Sequence, residues 1–407
     1  MANFSRLGTS TMYETTIATL GNQQKQLADQ MEKMSSGKRV VRPSDDPVAA
    51  AQAERARTRL SRIEVDQRAL AAQTETIAYG ESTLGQVNDT LVEFRTLMLQ
   101  AGNGSYSQVE RDAIANQMES LRVQILNAAN RKDSNGLPLF RGLDSQEKII
   151  QGQYNFAGQP GQSGSSSEYG ITSSLNGAMA FMSVASGNGV LDIRMGNPGS
   201  ATPNSGSAWA DVGTIRDPAA AAAAADAAKA GTPLSIQFKV DATTGDTTYT
   251  IDGGTTYQAF KTGQAITVGG MEVIVKGTPA DGDGFTVGAS QRSDIFSVMD
   301  AAIGAVRGAG SAGSLQQGIS KTVAEIDTAM SRISTVQGYA GDLLNQADRL
   351  KSTLTERDEQ VEAQRSAAED IDPIKGLSDL ENMKTSVSVA LQSYASIQKL
   401  SLFNFIN

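Results

Sequence analysis

The chain has 407 residues, of which 5% are aromatic, 19% are charged and 40 are glycine, and its formal net charge is −9. It contains neither cysteine nor histidine, which excludes a Ser-His-Asp triad, a thiol nucleophile, a Cys/His zinc site and disulfide bonds. The acidic balance argues against a nucleic-acid-binding protein, whose affinity depends on lysine and arginine facing phosphate. The hydrophobic fraction of 39% is sufficient for a core, so the composition predicts a folded chain.

The first ten residues contain no basic stretch followed by an apolar run, so we expect no cleaved secretory signal. The sequence has no run of 18 apolar residues, so we expect no membrane-spanning helix. If the protein leaves the cell, it must use an export route that the usual sorting signals do not describe.

The N-terminal flank predicts three helices in chain order. The first covers about residues 11–34, where apolar residues alternate at spacings of four and three, as in a heptad seam. The second covers residues 47–101 behind an Asp46 N-cap, and the third begins with the capping box Ser107-x-x-Glu110. The second helix would extend over roughly 80 Å at 1.5 Å per residue, a length that suits a rod or a bundle.

The middle of the chain predicts an antiparallel β domain inserted between two helical flanks. Residues 142–313 contain 28 of the 40 glycines. Residues 234–240 alternate apolar and polar side chains, and further short alternating stretches flank glycine-containing turns, which is typical of hairpins with one buried face. Residues 219–230 favour a helix by alanine propensity but have little to pack against.

The C-terminal flank returns to a helical pattern. Apolar residues recur every seven positions and predict a long helix over residues 315–371. The last helix is predicted to begin at a second capping box, Ser378-x-x-Glu381. The helix lengths mirror those of the N-terminal flank, so we expect the first helix to pair with the last and the second with the penultimate one, both antiparallel.

The predicted fold class is therefore α+β, with a long antiparallel helical rod and a terminal coiled coil from both chain ends and an inserted antiparallel β domain. The terminal domain comprises residues 1–42 and 373–407, and the rod domain comprises residues 43–141 and 293–372. Residues 142–292 form the β-rich insertion. These boundaries follow the shifts in composition and periodicity along the chain.

Full-length antiparallel pairing of the two long helices places residue i near residue 418 − i, because residue 47 then lies beside residue 371. The register is uncertain by about one turn, or ~4 residues. A cluster of arginines on one helix then faces an acidic run on the other, with Arg59 opposite Glu359 and Arg62 opposite Glu356. The predicted charge match comprises Arg55, Arg59, Arg62, Glu356, Glu359 and Glu362. A solvated or ion-paired face is preferred over a phosphate site.

No motif predicts catalysis, a cofactor or a metal site. Residues 281–284 read Asp-Gly-Asp-Gly and resemble a fragment of a calcium loop, but the further oxygen ligands and the closing glutamate are out of register. A solvated turn is the preferred interpretation. No carboxylates form a recognisable pair for acid–base chemistry, and no glycine-rich phosphate loop follows a strand.

The two terminal helices have too little core to be stable as a lone pair. We therefore expect neighbouring copies to stabilise them through their apolar seams. The predicted assembly-interface residues are Ile17, Leu20, Leu27, Met31, Leu380, Met383, Val387, Tyr394 and Ile397.

Several stretches resemble the flagellin superfamily. Residues 35–50, SSGKRVVRPSDDPVAA, look like the link found in its hook-associated members. Residues 94–103 and 131–140 are similar to the flagellin spoke region, and the apolar tail at 393–407 looks like that of the members at the hook–filament junction. The middle of the chain corresponds to the superfamily in position only.

The resemblance implies a terminal coiled coil that lines an inner tube, a helical rod outside it and an outward β domain. It implies an extracellular place in the bacterial flagellum, reached through the flagellar secretion apparatus with an export chaperone. The implied partners are the first hook-associated protein, flagellin and copies of the chain in a ring, without nucleic acid or membrane. The alternatives are flagellin itself, or an enzyme or lectin in residues 158–292, where the single Trp209 offers no aromatic platform.

Overall fold

The computed structural model describes residues 9–143, 149–157, 168–198, 204–308 and 310–403. Over these residues the protein is α+β, with long helices and an inserted antiparallel β region, which confirms the predicted fold class. The chain forms two compact units. The described part of the first comprises residues 9–68 and 350–403, and the second lies within residues 69–349.

The helices of the described residues, α1 to α8, span Thr9–Ser36, Pro47–Ala101, Gln108–Ala129, Gly177–Phe181, Pro218–Lys229, Ile295–Arg307, Ala312–Glu369 and Pro373–Phe403. The predicted caps of α2 and α3 are confirmed. The backbone N–H of Ala49 donates to Asp46 Oδ1 at 3.0 Å. At the start of α3, the Ser107 N–H donates to Glu110 Oε2 at 2.7 Å and the Glu110 N–H donates to Ser107 Oγ at 3.4 Å, which completes the capping box.

The predicted start of the last helix at Ser378 is wrong. α8 begins at Pro373, one and a half turns earlier. The carboxylate of Asp372 accepts the backbone N–H groups of Ile374 at 2.9 Å and Lys375 at 3.2 Å, as an N-cap does. Proline fits the first helical position because its missing N–H would have no partner there. Asp-Pro therefore overrides the later Ser-x-x-Glu signal.

The strands of the described residues, β1 to β13, span Ile150–Gln151, Asn155–Phe156, Val184–Ala185, Leu191–Met195, Trp209–Ala210, Thr214–Ile215, Leu234–Val240, Thr247–Thr250, Gln258–Ala259, Ala265–Val268, Met271–Lys276, Gly284–Ala289 and Arg292–Ser293. Every pairing is antiparallel among these strands. The largest sheet has the order β4-β12-β7-β8-β9, while β11 pairs with β10, β5 and β6. The predicted hairpins β8–β9 and β10–β11 are confirmed.

The core of the β region lies between these sheets and α5. Phe238 on β7 and Phe285 on β12 are buried and meet edge to face, with ring centroids 6.1 Å apart. The expectation that the alanine helix has little to pack against is wrong. Ala221, Ala224 and Ala225 are buried, and α5 packs on β12 and β4. Spacings of three and four place these small side chains on one side of the helix, which allows a close approach to the sheet.

The two ends of the β region meet where β3 pairs with β13. One residue further in, the Ser186 N–H donates to the carbonyl of Gln291 at 2.9 Å. Phe181, which precedes β3, packs against Phe140 and Phe296 with centroid distances of 5.3 and 6.3 Å. The narrow neck of the insertion therefore lies at β3 and β13. The predicted boundary at residues 142–292 stays a prediction.

The turn at residues 281–284 is structural, but it is not fully solvated as predicted. Asp283 is only 3% exposed. Its carboxylate accepts backbone N–H groups from Ser205 at 2.8 Å, Gly206 at 3.0 Å and Ala280 at 2.8 Å. Such bonds satisfy a buried carboxylate without a cation. Among the described residues, no group of three or more acidic side chains could hold a metal ion.

Within the second unit, α2 and α7 lie side by side and antiparallel. The side chain of Gln337 donates to Glu81 Oε1 at 2.7 Å, and that of Gln316 donates to the carbonyl of Gly102 at 2.8 Å. Both pairs fit the predicted register of 418 − i. None of the described helices has the combination of length and apolar character that crossing a membrane requires.

A cluster of buried charges joins β4 to α7. Asp192 is 1% exposed and accepts hydrogen bonds from Lys321 Nζ at 2.9 Å and Arg194 Nε at 3.0 Å. Glu325 is 5% exposed and lies 3.8 Å from the Lys321 ammonium. Burial raises the pKa of Glu325 to about 7, against the opposing charge of Lys321. The protein therefore holds this carboxyl protonated at mildly acidic pH.

We expect Glu325→Gln to change how stability depends on pH. The unfolded chain loses this proton near the ordinary pKa of about 4.3, whereas the folded chain keeps it until about pH 7. The wild type therefore loses stability as pH rises between these values, and the glutamine variant is spared that loss. Between pH 4 and pH 8, the free energy of unfolding of the variant should therefore rise relative to that of the wild type by on the order of 2 kcal/mol. Urea midpoints followed by the fluorescence of Trp209 measure it, and parallel pH curves would contradict it.

Candidate functional site

The first and last helices, α1 and α8, pack against each other in the first unit, as predicted. The side chain of Gln30 donates to the carbonyl of Gly376 at 3.1 Å. A β-carbon at Gly376 would lie 2.5 Å from the sulfur of Met34, so a larger residue there would require the Met34 side chain to move. The end of α1 is therefore fitted tightly to the beginning of α8.

This helix pair leaves a large part of its apolar seam uncovered. Ile17 is 44% exposed and Met31 is 46% exposed, whereas Val387 is buried. Intermediate exposure is shared by Leu20, Leu27, Leu380, Met383 and Tyr394. The side chain of Ile397 and the last four residues of the apolar tail, 404–407, lie outside the described residues. The pair thus forms a contact between two helices but buries its apolar residues incompletely.

Four further apolar side chains on α8 are exposed and were missed by the sequence analysis. They are Ile374 at 84%, Leu377 at 54%, Val389 at 55% and Leu391 at 45%. Ile374 and Leu377 lie before Ser378, where the helix was wrongly predicted to begin. The Asp372-Pro373 pair was the signal that could have found them. Val389 and Leu391 lie off the heptad seam, so its spacing could not identify them.

The link between α1 and α2 is joined to the link between α7 and α8 by backbone hydrogen bonds. The N–H groups of Arg39 and Val40 donate to the carbonyl of Glu369 at 2.7 and 3.3 Å. In the other direction, the Ile371 N–H donates to the carbonyl of Gly37 at 3.0 Å. Gly37 has a φ of +69°, a conformation that glycine adopts after a helix end at little cost. The two links therefore form a short bridged junction.

The carboxylate of Glu369 is the charged centre of this junction. The residue is 4% exposed. The guanidinium of Arg57 bonds both carboxylate oxygens at 2.5 Å, and the Lys38 ammonium also forms an ion pair with them. Burial by itself raises the pKa of Glu369, but the Lys38 hydrogen bond and the charges of Arg57 and Lys38 outweigh it and lower the pKa below its usual value. The ionised form is therefore the one that the fold stabilises.

The sequence Arg-Pro-Ser-Asp-Asp-Pro at residues 42–47 forms the turn that leads into α2. Asp45 Oδ2 accepts the backbone N–H groups of Val41 at 3.2 Å and Arg42 at 3.0 Å, and the second of these bonds is the main reason that the pKa of Asp45 is lowered. The Arg42 guanidinium also bonds Glu32 on α1 at 2.9 Å. The first aspartate thus shapes the turn, and the next one caps the helix.

The predicted pairs of the charge match do not form. Arg59 contacts the side chain of Gln364 at 3.5 Å, five positions beyond Glu359. Glu362 bonds Arg365 of its own helix at 2.8 Å. The contact that joins the arginine cluster to the acidic run is the one between Arg57 and Glu369. The register at this end is displaced from 418 − i by five or more residues, which moves the predicted partners out of reach.

Four members of the predicted charge match have no acidic or basic partner among the described residues. Within the described part of the chain, no ion pair forms at Arg55, Arg62, Glu356 or Glu359. All four side chains are exposed. The first unit therefore exposes two arginines and two glutamates that form no ion pair within the described residues.

Comparison with known proteins shows where this architecture occurs. A family model for the bacterial flagellin N-terminal helical region matches residues 8–145. Flagellar hook-associated protein 3 of Salmonella typhimurium is 36% identical over 145 residues, 35% of this chain and 44% of that protein. The flagellar filament 33 kDa core protein of Treponema phagedenis is 31% identical over 131 residues, 32% of this chain and 45% of that protein.

A crystal structure of flagellar hook associated protein-3 from Legionella pneumophila matches with a TM-score of 0.65 at 26% identity, over 76% of this chain and 97% of that chain. The chain is therefore similar to proteins of the flagellin superfamily. It aligns with less than half the length of the two sequence relatives. The superfamily resemblance of residues 35–50 is thus confirmed at the level of the family, and those residues form the bridged junction at Glu369.

We expect Glu369→Gln to destabilise the first unit at neutral pH by roughly 1–3 kcal/mol, because Lys38 and Arg57 lose their counter-charge. The wild-type advantage is fully present above the ordinary glutamate pKa of about 4.3 and is lost as pH falls through the lowered folded value. Urea midpoints from helical circular dichroism at pH 7 and pH 3 measure the difference.

The matched control is Glu54→Gln, which removes an exposed carboxylate that also contacts Arg57, at 3.4 Å. Surface pairs contribute little, so this variant should lie within about 0.5 kcal/mol of the wild type. Equal effects of the two substitutions would show that the burial of Glu369 is not important for stability.

Proposed function

We propose that the chain is a structural subunit of the bacterial flagellum that connects the hook side to the flagellin filament. The main observation in support is the incompletely covered apolar seam of the α1–α8 pair, at which Ile17 and Met31 are nearly half exposed. Two paired helices bury too little apolar surface to be stable alone, so contacts with neighbouring subunits would complete their core. The higher identity to hook-associated protein 3 than to the filament core protein favours the junction.

The proposed partners follow from this position. On the hook side the subunit would contact the first hook-associated protein, on the filament side flagellin, and laterally copies of itself in a ring. It would reach the cell exterior as an unfolded chain through the flagellar secretion apparatus, accompanied by an export chaperone. The absence of cysteine suits this route, because refolding outside the cell then requires no disulfide formation. The proposed role is structural rather than catalytic.

The proposed division of labour uses three parts of the chain. Residues 1–42 and 373–407 would form the inner assembly domain, and residues 43–141 and 293–372 would form the rod domain. Residues 142–292 would form the outer β-rich domain. Such a division would separate the apolar surface that needs neighbours from the β region, whose core is closed by its own side chains.

The double substitution Ile17→Asp and Met31→Asp should block incorporation into flagella. These two side chains are exposed in the single chain, so the charges should leave the α1–α8 pair intact and act only where another subunit covers them. Burying a charge in an apolar contact costs several kcal/mol, so we expect at least about a tenfold loss of assembled protein. Immunoblots of sheared flagella and of the culture medium measure assembly and export.

The matched control places the same charges at Thr19 and Gln26, which are exposed polar positions on the other side of α1. That variant should be incorporated like the wild type. Normal incorporation of the Ile17/Met31 variant would contradict the proposed role of the terminal helices. Aspartate at Leu20 and Leu27, or at Val387 and Tyr394, tests the rest of the seam but also disturbs the pair itself.

The β region should be dispensable for the junction role. A short Gly/Ser linker that replaces residues 188–289 keeps the neck, where Ser186 and Gln291 already touch. We expect cells with this variant to retain attached filaments, counted by electron microscopy. The wider replacement of residues 158–290 also removes Phe181 from its packing with Phe140 and Phe296, and it should lower stability. Loss of filaments with an exported and folded 188–289 variant would show that the β region makes an essential contact.

The alternative function is that of flagellin, the filament subunit, which the match to a filament core protein supports. The two functions differ in self-assembly. Purified flagellin should polymerise into long filaments alone, whereas a junction subunit should require a hook end or a partner. Long filaments of the purified chain, seen by electron microscopy, would favour the alternative.

A further inference from the structure

One side of the α2 helix in the first unit presents a row of arginines. Arg55, Arg59 and Arg62 are spaced by four and three residues, which places them in one stripe along the helix. All three are exposed. Over the described part of the chain none of them pairs with a carboxylate, and the polar contact of Arg59 is with the neutral amide of Gln364. We call these residues the arginine stripe.

The neighbouring helix α7 presents a row of glutamates whose level overlaps that of the arginine stripe. Glu356, Glu359 and Glu362 are spaced by three residues and are exposed, and we call them the glutamate stripe. Within the described residues, Glu356 and Glu359 form no ion pair, while Glu362 bonds Arg365. Glu359 and Glu362 lie within about 8 Å of Gln364 along the helix axis, at 1.5 Å per residue.

The arginine stripe lies on one side of the α2–α7 pair, and Glu359 and Glu362 of the glutamate stripe lie nearer the opposite side. Arg59 contacts Gln364 on one side, and Arg57 contacts Glu369 on the other. Glu362 precedes Glu369 by seven residues, or two turns, so it shares the Glu369 side. Gln364 follows Glu362 by two residues and is therefore rotated by about 200°. One copy of the chain consequently cannot bring its own stripes together.

We propose that the arginine stripe of one copy binds the glutamate stripe of a second copy. The charges are complementary, the two stripes overlap in level near Glu362, and Glu359 and Glu362 face away from the arginine stripe, so side-by-side copies would bring them into contact. Such an interface uses two different surfaces, and its repetition closes a ring or continues as a helix. The proposal rests on the proposed function only in requiring that copies lie side by side.

The surface beside the arginine stripe has room for incoming side chains. Arg55 and Arg59 border a shallow recess whose floor contains the small residues Ala49, Ala56 and Ala367. A carboxylate that enters the recess would approach the guanidinium groups with less water around them. Charge pairs become stronger as water is excluded, but exposed pairs alone are weak. The contact would therefore set the order and level of neighbouring copies more than their total affinity.

Cysteine cross-linking tests the contact directly, because the natural chain has no cysteine. A chain with Arg59→Cys and Glu359→Cys is expressed in the native bacterium in place of the wild type, and isolated flagella are oxidised. We expect a ladder of cross-linked multimers on a non-reducing gel. In the matched control Thr58→Cys replaces Arg59→Cys. This cysteine is rotated by about 100° around α2 from position 59 and so points away from the proposed contact, and it should give no ladder. Incorporation of the first variant without a ladder would overturn the inference.

Charge exchange provides a second test in the full chain. Glutamate at all three positions of the arginine stripe, or arginine at all three positions of the glutamate stripe, should each reduce incorporation into flagella at least about tenfold. A chain with both sets exchanged should recover, because the complementary charges have only changed places. Normal incorporation of either single set, or no recovery by the double set when all variants are folded and exported, would contradict the contact.

The two proposals fail in different ways. Absence of the wild-type chain from isolated flagella would contradict the proposed function. The same cysteine pair is then oxidised in concentrated purified protein, where absence of a ladder would overturn the inference and its presence would support it. Presence of the wild type in flagella with no effect of any charge variant would contradict the inference alone.

Discussion

The first unit depends on a single buried carboxylate. Glu369 lies where the link into α2 meets the link into α8, and an ionised group there would cost several kcal/mol without counter-charges. Lys38 and Arg57 supply those charges from two different parts of the chain. Because the same residue also accepts two backbone N–H groups through its carbonyl, the end of α7 is fixed to the link between α1 and α2. The adjacent α1 and α8 are thereby brought side by side.

The two units bury their apolar side chains to different extents. The β region closes its own core with residues such as Phe238, Phe285 and the alanines of α5. The α1–α8 pair leaves Ile17, Met31 and the exposed residues of α8 in solvent. This contrast explains why we assign assembly to the terminal helices. A surface of this kind has a high free energy until another chain covers it.

Charges in the two units follow the same contrast. In the second unit, Asp192 and Asp283 are buried, and hydrogen bonds from lysine, arginine or backbone amides compensate them. In the first unit, Glu369 is compensated, but within the described residues the arginine stripe, Glu356 and Glu359 form no ion pair. Unpaired charges in water cost nothing to the single chain, and they remain available to order neighbouring copies.

The sequence by itself determined the helical flanks, the hairpins of the insertion and the caps at Asp46 and Ser107, because these depend on periodicity and on residues a few positions apart. It also indicated the resemblance to the flagellin superfamily, through residues 35–50. The tertiary structure alone decided which charges meet. Arg57 reaches Glu369 while Arg59 faces Gln364, because a pairing across two helices depends on their exact register and on which side of each helix a residue lies. A seven-residue apolar repeat does not determine on which side of its helix a charged residue lies, and it does not reveal a register shift of five residues between two helices. The separation of the two stripes could therefore be seen only in the folded chain.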